Sequence, residues 1–128
     1  MKTITNARSG RKILIVDDDV ALLEGLENTF KAAGEDATAS SSFEVAKRLL
    51  RSDEYDVLIT DVRLGAFNGL QLALLARDLY PRITLIVFSG FDDPVLRAEA
   101  EQLEATYVVK PISGSALLEL SRSADLPG

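Results

Sequence analysis

Apolar residues along the chain follow two alternating patterns, short continuous runs and longer stretches with helical spacing. The first run, Ile13 to Val16, is rich in β-branched residues and predicts a strand that is buried on both faces. Leucine and phenylalanine then recur at helical spacing from Leu22 to Phe30, and Gly34 is a plausible helix stop. The acidic run Asp17 to Asp19 lies between them. The first unit is therefore predicted to be a strand, an acidic turn and a helix.

The same alternation occurs four more times. The other predicted strands lie near Asp36 to Ala39, from Val57 into Asp61, from Ile83 to Phe88 and from Tyr107 to Val109. The other predicted helices run from about Ser42 to Leu50, from Leu70 to Leu79, from about Pro94 to Leu103 and from about Ser115 to Ser121. Five strand–helix units with continuously apolar strands indicate an α/β fold, in which a parallel sheet is covered by helices on both faces.

Length and composition limit what this fold can do. A chain of 128 residues, of which 47% are hydrophobic, fits one compact domain. We assign it to 12–121, with a flexible leader at 1–11 and a flexible tail or linker at 122–128. The chain has no cysteine and no histidine, which excludes disulfides, thiolate or imidazole metal ligands and Ser/His/Asp catalysis.

Charge and hydropathy suggest where the protein acts. The polar leader lacks the apolar segment of a signal peptide, and no later apolar run approaches the length that spans a bilayer. We therefore expect a cytoplasmic protein. The formal net charge of −6 disfavours direct nucleic acid binding, which depends on clustered Lys and Arg.

Polar side chains collect where the predicted strands end. Asp17 and Asp18 follow the first strand, Asp61 ends the third, Ser89 ends the fourth and Lys110 ends the fifth. In open α/β sheets, function gathers at the carboxyl ends of the strands. Each residue alone has an ordinary explanation, such as a solvated turn, a helix cap or a strand end. Their joint placement at four strand ends favours a single site.

The residue types at this edge favour phosphoryl transfer. Three carboxylates repel one another and require a counter-ion, and oxygen ligands without His or Cys favour Mg2+, with Mn2+ also possible. A carboxylate shielded by the metal can attack phosphorus to form an acyl phosphate. Lys110 would then hold one phosphoryl oxygen and Ser89 would hydrogen-bond another. Tyr107 remains open at this point, either as an edge-strand aromatic or as a rotamer switch.

Four motifs together resemble the receiver domain of two-component response regulators. They are Ile13 to Asp18, Leu58 to Gly69, Val87 to Gly90 and Tyr107 to Pro111, and the resemblance covers about Lys12 to Leu120. It implies a flavodoxin-like, doubly wound (βα)5 fold similar to that of chemotaxis regulators. The five-stranded parallel sheet would have the strand order 2-1-3-4-5.

The resemblance also implies a role for each site residue. Asp61 would be the phosphoacceptor, and Asp18 would bind Mg2+ directly while Asp17 assists through water. The backbone carbonyl of Arg63 would complete the protein ligands. The domain would catalyse its own phosphorylation from a phosphodonor and, slowly, its own dephosphorylation.

A switch is implied as well. Ser89 would move toward the phosphoryl group and Tyr107 would swing inward, while Lys110 would bind the phosphoryl group and join Pro111 through a cis peptide. The output surface would be the fourth helix, fifth strand and fifth helix, about Pro94 to Ser121, which is also a possible homodimer face. A histidine kinase or phosphotransfer protein would supply the phosphoryl group, and an attached or separate effector would receive the signal.

Some residues depart from the common pattern of the family. Gly65 replaces a frequent proline and Asn68 a frequent aspartate, which predicts a looser loop with an intact site. Arg63 and Phe91 occupy positions that flank the path of the hydrolytic water. Because large side chains there would obstruct that water, we predict a long-lived phosphorylated state.

Two other interpretations remain open at this point. Asp17 to Val20 resembles the D-x-D-x-V signature of haloacid-dehalogenase-type phosphatases, with Asp17 as nucleophile and Val87 to Ser89 as a second motif. That family places its acidic pair after the lysine, whereas here Asp92 and Asp93 precede Lys110. The other alternative is a receiver-like interaction module that works without phosphorylation, although such modules usually lose a site residue.

Overall fold

The computed structural model of the protein describes residues 10–123 and confirms the predicted α/β architecture. Five parallel strands form one sheet: β1 Lys12–Val16, β2 Asp36–Ser40, β3 Val57–Asp61, β4 Thr84–Ser89 and β5 Thr106–Val109. Five helices alternate with them: α1 Val20–Ala32, α2 Phe43–Ser52, α3 Gly69–Leu79, α4 Pro94–Gln102 and α5 Gly114–Ser123. The strand order β2-β1-β3-β4-β5 is the predicted one.

The sheet separates two apolar clusters, because successive side chains of a strand point to opposite faces. Ile13 and Ile15 of β1 pack in a cluster that includes residues of α1 and α5. Leu14 and Val16 pack on the other side, in a cluster that includes residues of α2, α3 and α4. Both faces of the sheet are therefore covered, which explains why the central strands β1, β3 and β4 are rich in consecutive apolar residues.

Local sequence signals set the helix ends. Ser42 caps α2 as predicted, with its side chain accepting a hydrogen bond from the backbone N–H of Val45. Gly34 follows α1 with φ +91°, a conformation that glycine adopts easily. The N–H of Gly34 bonds to the carbonyl of Lys31, and the N–H of Glu35 to that of Phe30. This paired pattern is a Schellman motif, which satisfies the last carbonyls of the helix.

Side-chain contacts hold the two ends of the described part of the chain together. Arg11 is held in place, since its side chain bonds to both Glu35 and Ser121. Arg122 belongs to α5 and forms an ion pair with the same Glu35. These contacts tie the start of β1 to the end of α5. The remaining leader and tail residues, 1–9 and 124–128, lie outside the described part of the chain.

None of the helices within residues 10–123 is long and apolar enough to cross a membrane.

Candidate functional site

Three carboxylates meet at the carboxyl edge of the sheet, as the sequence predicts. Asp17 directly follows β1, and its N–H bonds to the carbonyl of Ser40, the last residue of β2. Asp61 ends β3 and pairs in register with Phe88 of β4. Asp18 is exposed beside them. One carboxylate oxygen from each aspartate lies within 4.8 Å of those of the other two.

Lys110 places its ammonium group between two of these carboxylates. Its backbone N–H bonds to the carbonyl of Ser89 at 2.7 Å, so the residue continues from β5 alongside β4. The Lys110–Pro111 peptide is cis, as the resemblance implied. The Nζ atom lies 2.9 Å from Oδ2 of Asp17 and 3.5 Å from Oδ2 of Asp61. The lysine is therefore a counter-ion of the cluster.

Burial and mutual repulsion disturb the protonation of this cluster. Asp17 is 0% exposed and Asp61 is 6% exposed. Burial, followed by the negative charge of Asp17, raises the pKa of Asp61 to about 6, although Lys110 opposes the shift. Burial alone would lower the pKa of Lys110, but the hydrogen bond and charge of Asp17, together with Asp61, raise it above its ordinary value.

The donor set fits a hard divalent cation. Three carboxylates against one ammonium group leave an excess of negative charge, and all the nearby side-chain ligands are oxygen atoms. Mg2+ prefers oxygen ligands and binds through one or two carboxylates together with water. The chain contains no His or Cys that would favour a softer metal. Asp17, Asp18 and Asp61 are thus the side chains that could hold Mg2+.

Ser89 ends β4 at this edge of the sheet, and Phe91 lies in the loop that follows. Ser89 is the last residue of the strand, is buried, and accepts a hydrogen bond from the N–H of Phe91 at its Oγ atom, 3.2 Å away. The Phe91 side chain is 63% exposed. The guanidinium carbon of Arg63 lies 5.4 Å from the centre of its ring. Arg63 and Phe91, which the sequence singled out separately, are therefore in contact.

Tyr107 lies inside the molecule. The residue is 9% exposed and belongs to the apolar cluster on the α2, α3 and α4 side of the sheet. Its hydroxyl donates a hydrogen bond of 2.7 Å to the carbonyl of Phe91. The ring of Tyr107 is thus buried and joined to the loop after Ser89.

The loop after Asp61 is ordered by a short hairpin that the sequence did not predict. Arg63 pairs with Asn68 and Leu64 with Phe67 in an antiparallel ladder. Gly65 occupies the turn with φ +64°. Asn68 caps α3, since its side chain accepts a hydrogen bond of 2.8 Å from the N–H of Leu70. Gly65 and Asn68 therefore form a defined turn and cap where the sequence suggested a looser loop.

Sequence reasoning also missed the role of Gly69. A Cβ atom at this position would lie 1.8 Å from the backbone carbonyl oxygen of Asp61. The same oxygen accepts a hydrogen bond from the hydroxyl of Thr60 at 3.0 Å. Only glycine lets α3 start this close to Asp61. The signal in the sequence was a glycine directly after the capping Asn68, eight residues beyond the candidate acceptor.

One cavity of the described residues lies away from the carboxylates. A cavity of about 490 Å3 opens at the opposite end of the sheet, between the residues that precede β3 and β4, and is lined by residues that include Tyr55, Tyr80 and Ile83. No catalytic arrangement accompanies it among the described residues. The carboxylate cluster instead lies at the carboxyl edge of the sheet.

Comparisons with known proteins find relatives of this chain. A family model described as a response regulator receiver domain matches residues 13–122. The chain is 36% identical over 121 residues to the response regulator protein FleR of Pseudomonas aeruginosa, covering 91% of this chain and 26% of that protein. It is 31% identical over 114 residues to the alginate biosynthesis transcriptional regulatory protein AlgB of the same organism, covering 88% and 25%. The chain thus spans about a quarter of these curated relatives.

Solved structures share the fold. The chemotaxis response regulator CheY4 of Vibrio cholerae has a TM-score of 0.80 at 22% identity, covering 90% of this chain and 98% of that one. A receiver domain protein of Methanospirillum hungatei has a TM-score of 0.84 at 24% identity, covering 91% and 95%.

The raised pKa of Asp61 predicts how a neutral amide affects stability. Because the folded protein holds this proton more tightly than the unfolded chain, Asp61 contributes stability that is fully present below about pH 4 and lost as the pH rises through about 6. Asp61→Asn should therefore raise the free energy of unfolding by on the order of 1–3 kcal/mol at about pH 8 without metal. The difference should vanish near pH 4.

Urea denaturation in metal-free buffer across this pH range measures the effect. Asp78→Asn, at an exposed carboxylate near the end of α3, is the matched control. An Asp61→Asn protein that is no more stable than wild type at about pH 8 would contradict the electrostatic account.

Proposed function

Because the chain belongs to the response regulator receiver domain family, we propose that it is a Mg2+-dependent phosphoacceptor switch of a two-component phosphorelay. Asp61 is the proposed acceptor. The observation that carries this proposal is the meeting of Asp17, Asp18, Asp61 and Lys110 at one edge of the sheet. This edge provides a nucleophile, a metal site and a cation for the phosphoryl oxygens.

The three aspartates have different roles in the proposed site. Asp18 is exposed and suits direct coordination of Mg2+. Asp17 uses Oδ1 to accept a hydrogen bond from the N–H of Asp19 and Oδ2 to pair with Lys110, which suits a ligand that acts through water. The backbone carbonyl of Arg63 is the remaining proposed protein ligand. The bound metal supplies positive charge that shields the acceptor and the phosphoryl oxygens from each other.

The transfer step needs a deprotonated acceptor. A carboxylate oxygen of Asp61 attacks phosphorus, the bond between phosphorus and the donor breaks, and the leaving group takes the electron pair. Lys110 then pairs with a phosphoryl oxygen in place of the Asp61 charge. The Ser89 hydroxyl turns from Phe91 to donate to another oxygen. This domain thus catalyses its own phosphorylation and is primarily a signalling protein.

Partners follow from the same proposal. A histidine kinase or phosphotransfer protein supplies the phosphoryl group, and an effector reads the face formed by α4, β5 and α5. This face is also the candidate homodimer surface. Since the chain spans about a quarter of FleR and AlgB, the effector is either a further domain of the same protein or a separate protein. The net charge of −6 argues against direct nucleic acid binding by this chain. The proposed place of action is the cytoplasm.

The phosphatase alternative loses its main support. Asp17, its proposed nucleophile, is fully buried and both of its oxygens already have partners. The family match over residues 13–122 is to receiver domains, and Asp61 has no role in the phosphatase scheme.

The proposal is tested by incubation with Mg2+ and acetyl phosphate, followed by mass-spectrometric mapping of the modified aspartate. We expect one phosphoryl group, on Asp61, which disappears in Asp61→Asn and when Mg2+ is chelated. Asp78→Asn should be phosphorylated like wild type. Label on Asp17 would support the phosphatase instead. The wild-type protein could also bind Mg2+ but stay unlabelled with both acetyl phosphate and a histidine phosphotransfer donor. That result would contradict the proposal and support a phosphorylation-independent module.

The contact between Arg63 and Phe91 leads to a proposal about lifetime. These side chains follow Asp61 and Ser89 by two residues each, and they pack against each other at the rim, 5.4 Å apart. We infer that they form a cover over the acceptor. Since hydrolysis of an acyl phosphate requires a water in line with the phosphorus, this cover slows self-dephosphorylation.

Phe91→Ala and Phe91→Glu should both shorten the lifetime of the phosphorylated protein. Opening the cover admits water, and we expect at least a roughly threefold change in rate, about 0.7 kcal/mol in the barrier. The decay is followed after removal of the donor in Mg2+ buffer. Val95→Ala, at a similarly exposed apolar residue in α4, is the control. Unchanged decay in both Phe91 variants would contradict the cover.

A further inference from the structure

Contacts made entirely outside the carboxylate cluster fix the inward position of Tyr107. Its hydroxyl is anchored on the carbonyl of Phe91 at 2.7 Å. The guanidinium carbon of Arg97 lies 4.8 Å from the centre of the ring, within the range of a cation–π contact. Tyr107 is thus held at its hydroxyl end by one loop residue and over its ring by a residue of α4.

Arg97 is itself paired with an acidic residue. Its Nε and Nη2 atoms donate to Oδ1 of Asp92 at 3.1 and 2.8 Å. Its backbone N–H bonds to the carbonyl of Asp93, which places the residue in the first turn of α4. Asp92 directly follows Phe91, whose carbonyl anchors Tyr107. One guanidinium group therefore links α4 and the loop after β4 to the ring on β5.

These contacts are connected to the site through the same loop. The N–H of Phe91 bonds to the hydroxyl of Ser89, while its carbonyl accepts the Tyr107 hydroxyl. A shift of Ser89 thus moves the residue that anchors Tyr107, and a shift of Tyr107 releases the residue that holds Ser89. Arg97 touches neither Asp61 nor Lys110 in any contact of the described residues, so its influence on the site passes through Tyr107 and this loop.

We propose that Arg97 is a positioning residue that holds Tyr107 inward independently of the acceptor, and that Asp92 orients it. Only the consequence for phosphorylation rests on the proposed function. A partly exposed cation–π contact of ordinary strength corresponds to a factor of about two to five in the ratio of inward to outward rings. Arg97 then sets the ratio of inward to outward Tyr107 rings before phosphorylation. Modification of Asp61 raises that ratio further.

Thermodynamic linkage between the Tyr107 ring and the acceptor predicts how Arg97 affects phosphorylation. If the inward ring and the phosphorylated acceptor favour each other, a residue that stabilises the first must also favour the second. If the inward arrangement is also the one that accepts the phosphoryl group, loss of Arg97 slows phosphorylation from acetyl phosphate by up to the same factor of about two to five, because a smaller fraction of the protein is then competent.

The direct test observes the Tyr107 ring without Mg2+ or donor. In protein labelled with 13C-tyrosine, the three tyrosines give separate ring signals, and Tyr107→Phe assigns the relevant one. A soluble paramagnetic probe then reports exposure of each ring. In Arg97→Ala, the Tyr107 signal should shift and broaden more strongly with the probe. The signals of Tyr55 and Tyr80 should stay unchanged, which shows that the fold is intact.

Further variants separate positioning from a general surface effect. Arg97→Lys keeps a charge near the ring and should restore part of the protection, although it cannot reproduce the planar guanidinium. Asp92→Asn weakens the charged partner and should expose Tyr107 in the same direction, to a smaller extent. Arg48→Ala removes an exposed arginine from α2 and should leave Tyr107 as in wild type.

The outcomes distinguish this inference from the proposed function. A Tyr107 signal in Arg97→Ala that matches wild type in position and exposure would overturn the positioning role, whatever the phosphorylation result. Greater exposure in Arg97→Ala, with partial recovery in Arg97→Lys, would support it even if the wild-type protein accepted no phosphoryl group, since that result would contradict only the proposed function. Greater exposure together with an unchanged phosphorylation rate, in a wild type that is phosphorylated, would overturn the link between Arg97 and the acceptor.

Discussion

The repulsion among carboxylates at one edge of a buried parallel sheet is the constraint on which the rest of the structure depends. Asp17 follows β1 and Asp61 ends β3. Because the apolar residues of both strands are buried and the strands pair in register, both aspartates lie at this edge. Burial and their proximity make the second charge costly, which is visible in the raised pKa of Asp61. Lys110 offsets part of this cost through contacts with both carboxylates.

Other parts of the fold keep this unfavourable arrangement in place. Gly69 lets α3 begin against the backbone of Asp61, and the hairpin next to it keeps Arg63 beside the site. The loop after β4 performs a second task, since Phe91 contacts Ser89 on one side and Tyr107 on the other. The charges at the rim therefore neutralise one another only in part. One short loop connects this rim to the buried ring of Tyr107.

The sequence predicted most of this arrangement because most of it depends on local pattern. Strand ends follow from apolar runs, and charged residues after those runs must share an edge once the sheet is parallel. The hairpin around Gly65 was missed because two-residue strands have no periodicity. The need for Gly69 was missed because it arises from a contact eight residues away. The partner of Arg97 and the inward Tyr107 depend on side-chain packing across elements, which spacing along one chain does not encode.

The central claim is that this edge is an incompletely neutralised anionic site that binds a divalent cation. It is tested most directly by the free energy of unfolding as a function of Mg2+ concentration at about pH 8. Sodium chloride at matched ionic strength provides the comparison for screening. We expect the free energy of unfolding to rise with Mg2+ as one-site linkage requires in wild type, and to rise less in Asp18→Ala. A free energy of unfolding that responds to Mg2+ no more than to sodium chloride would contradict it.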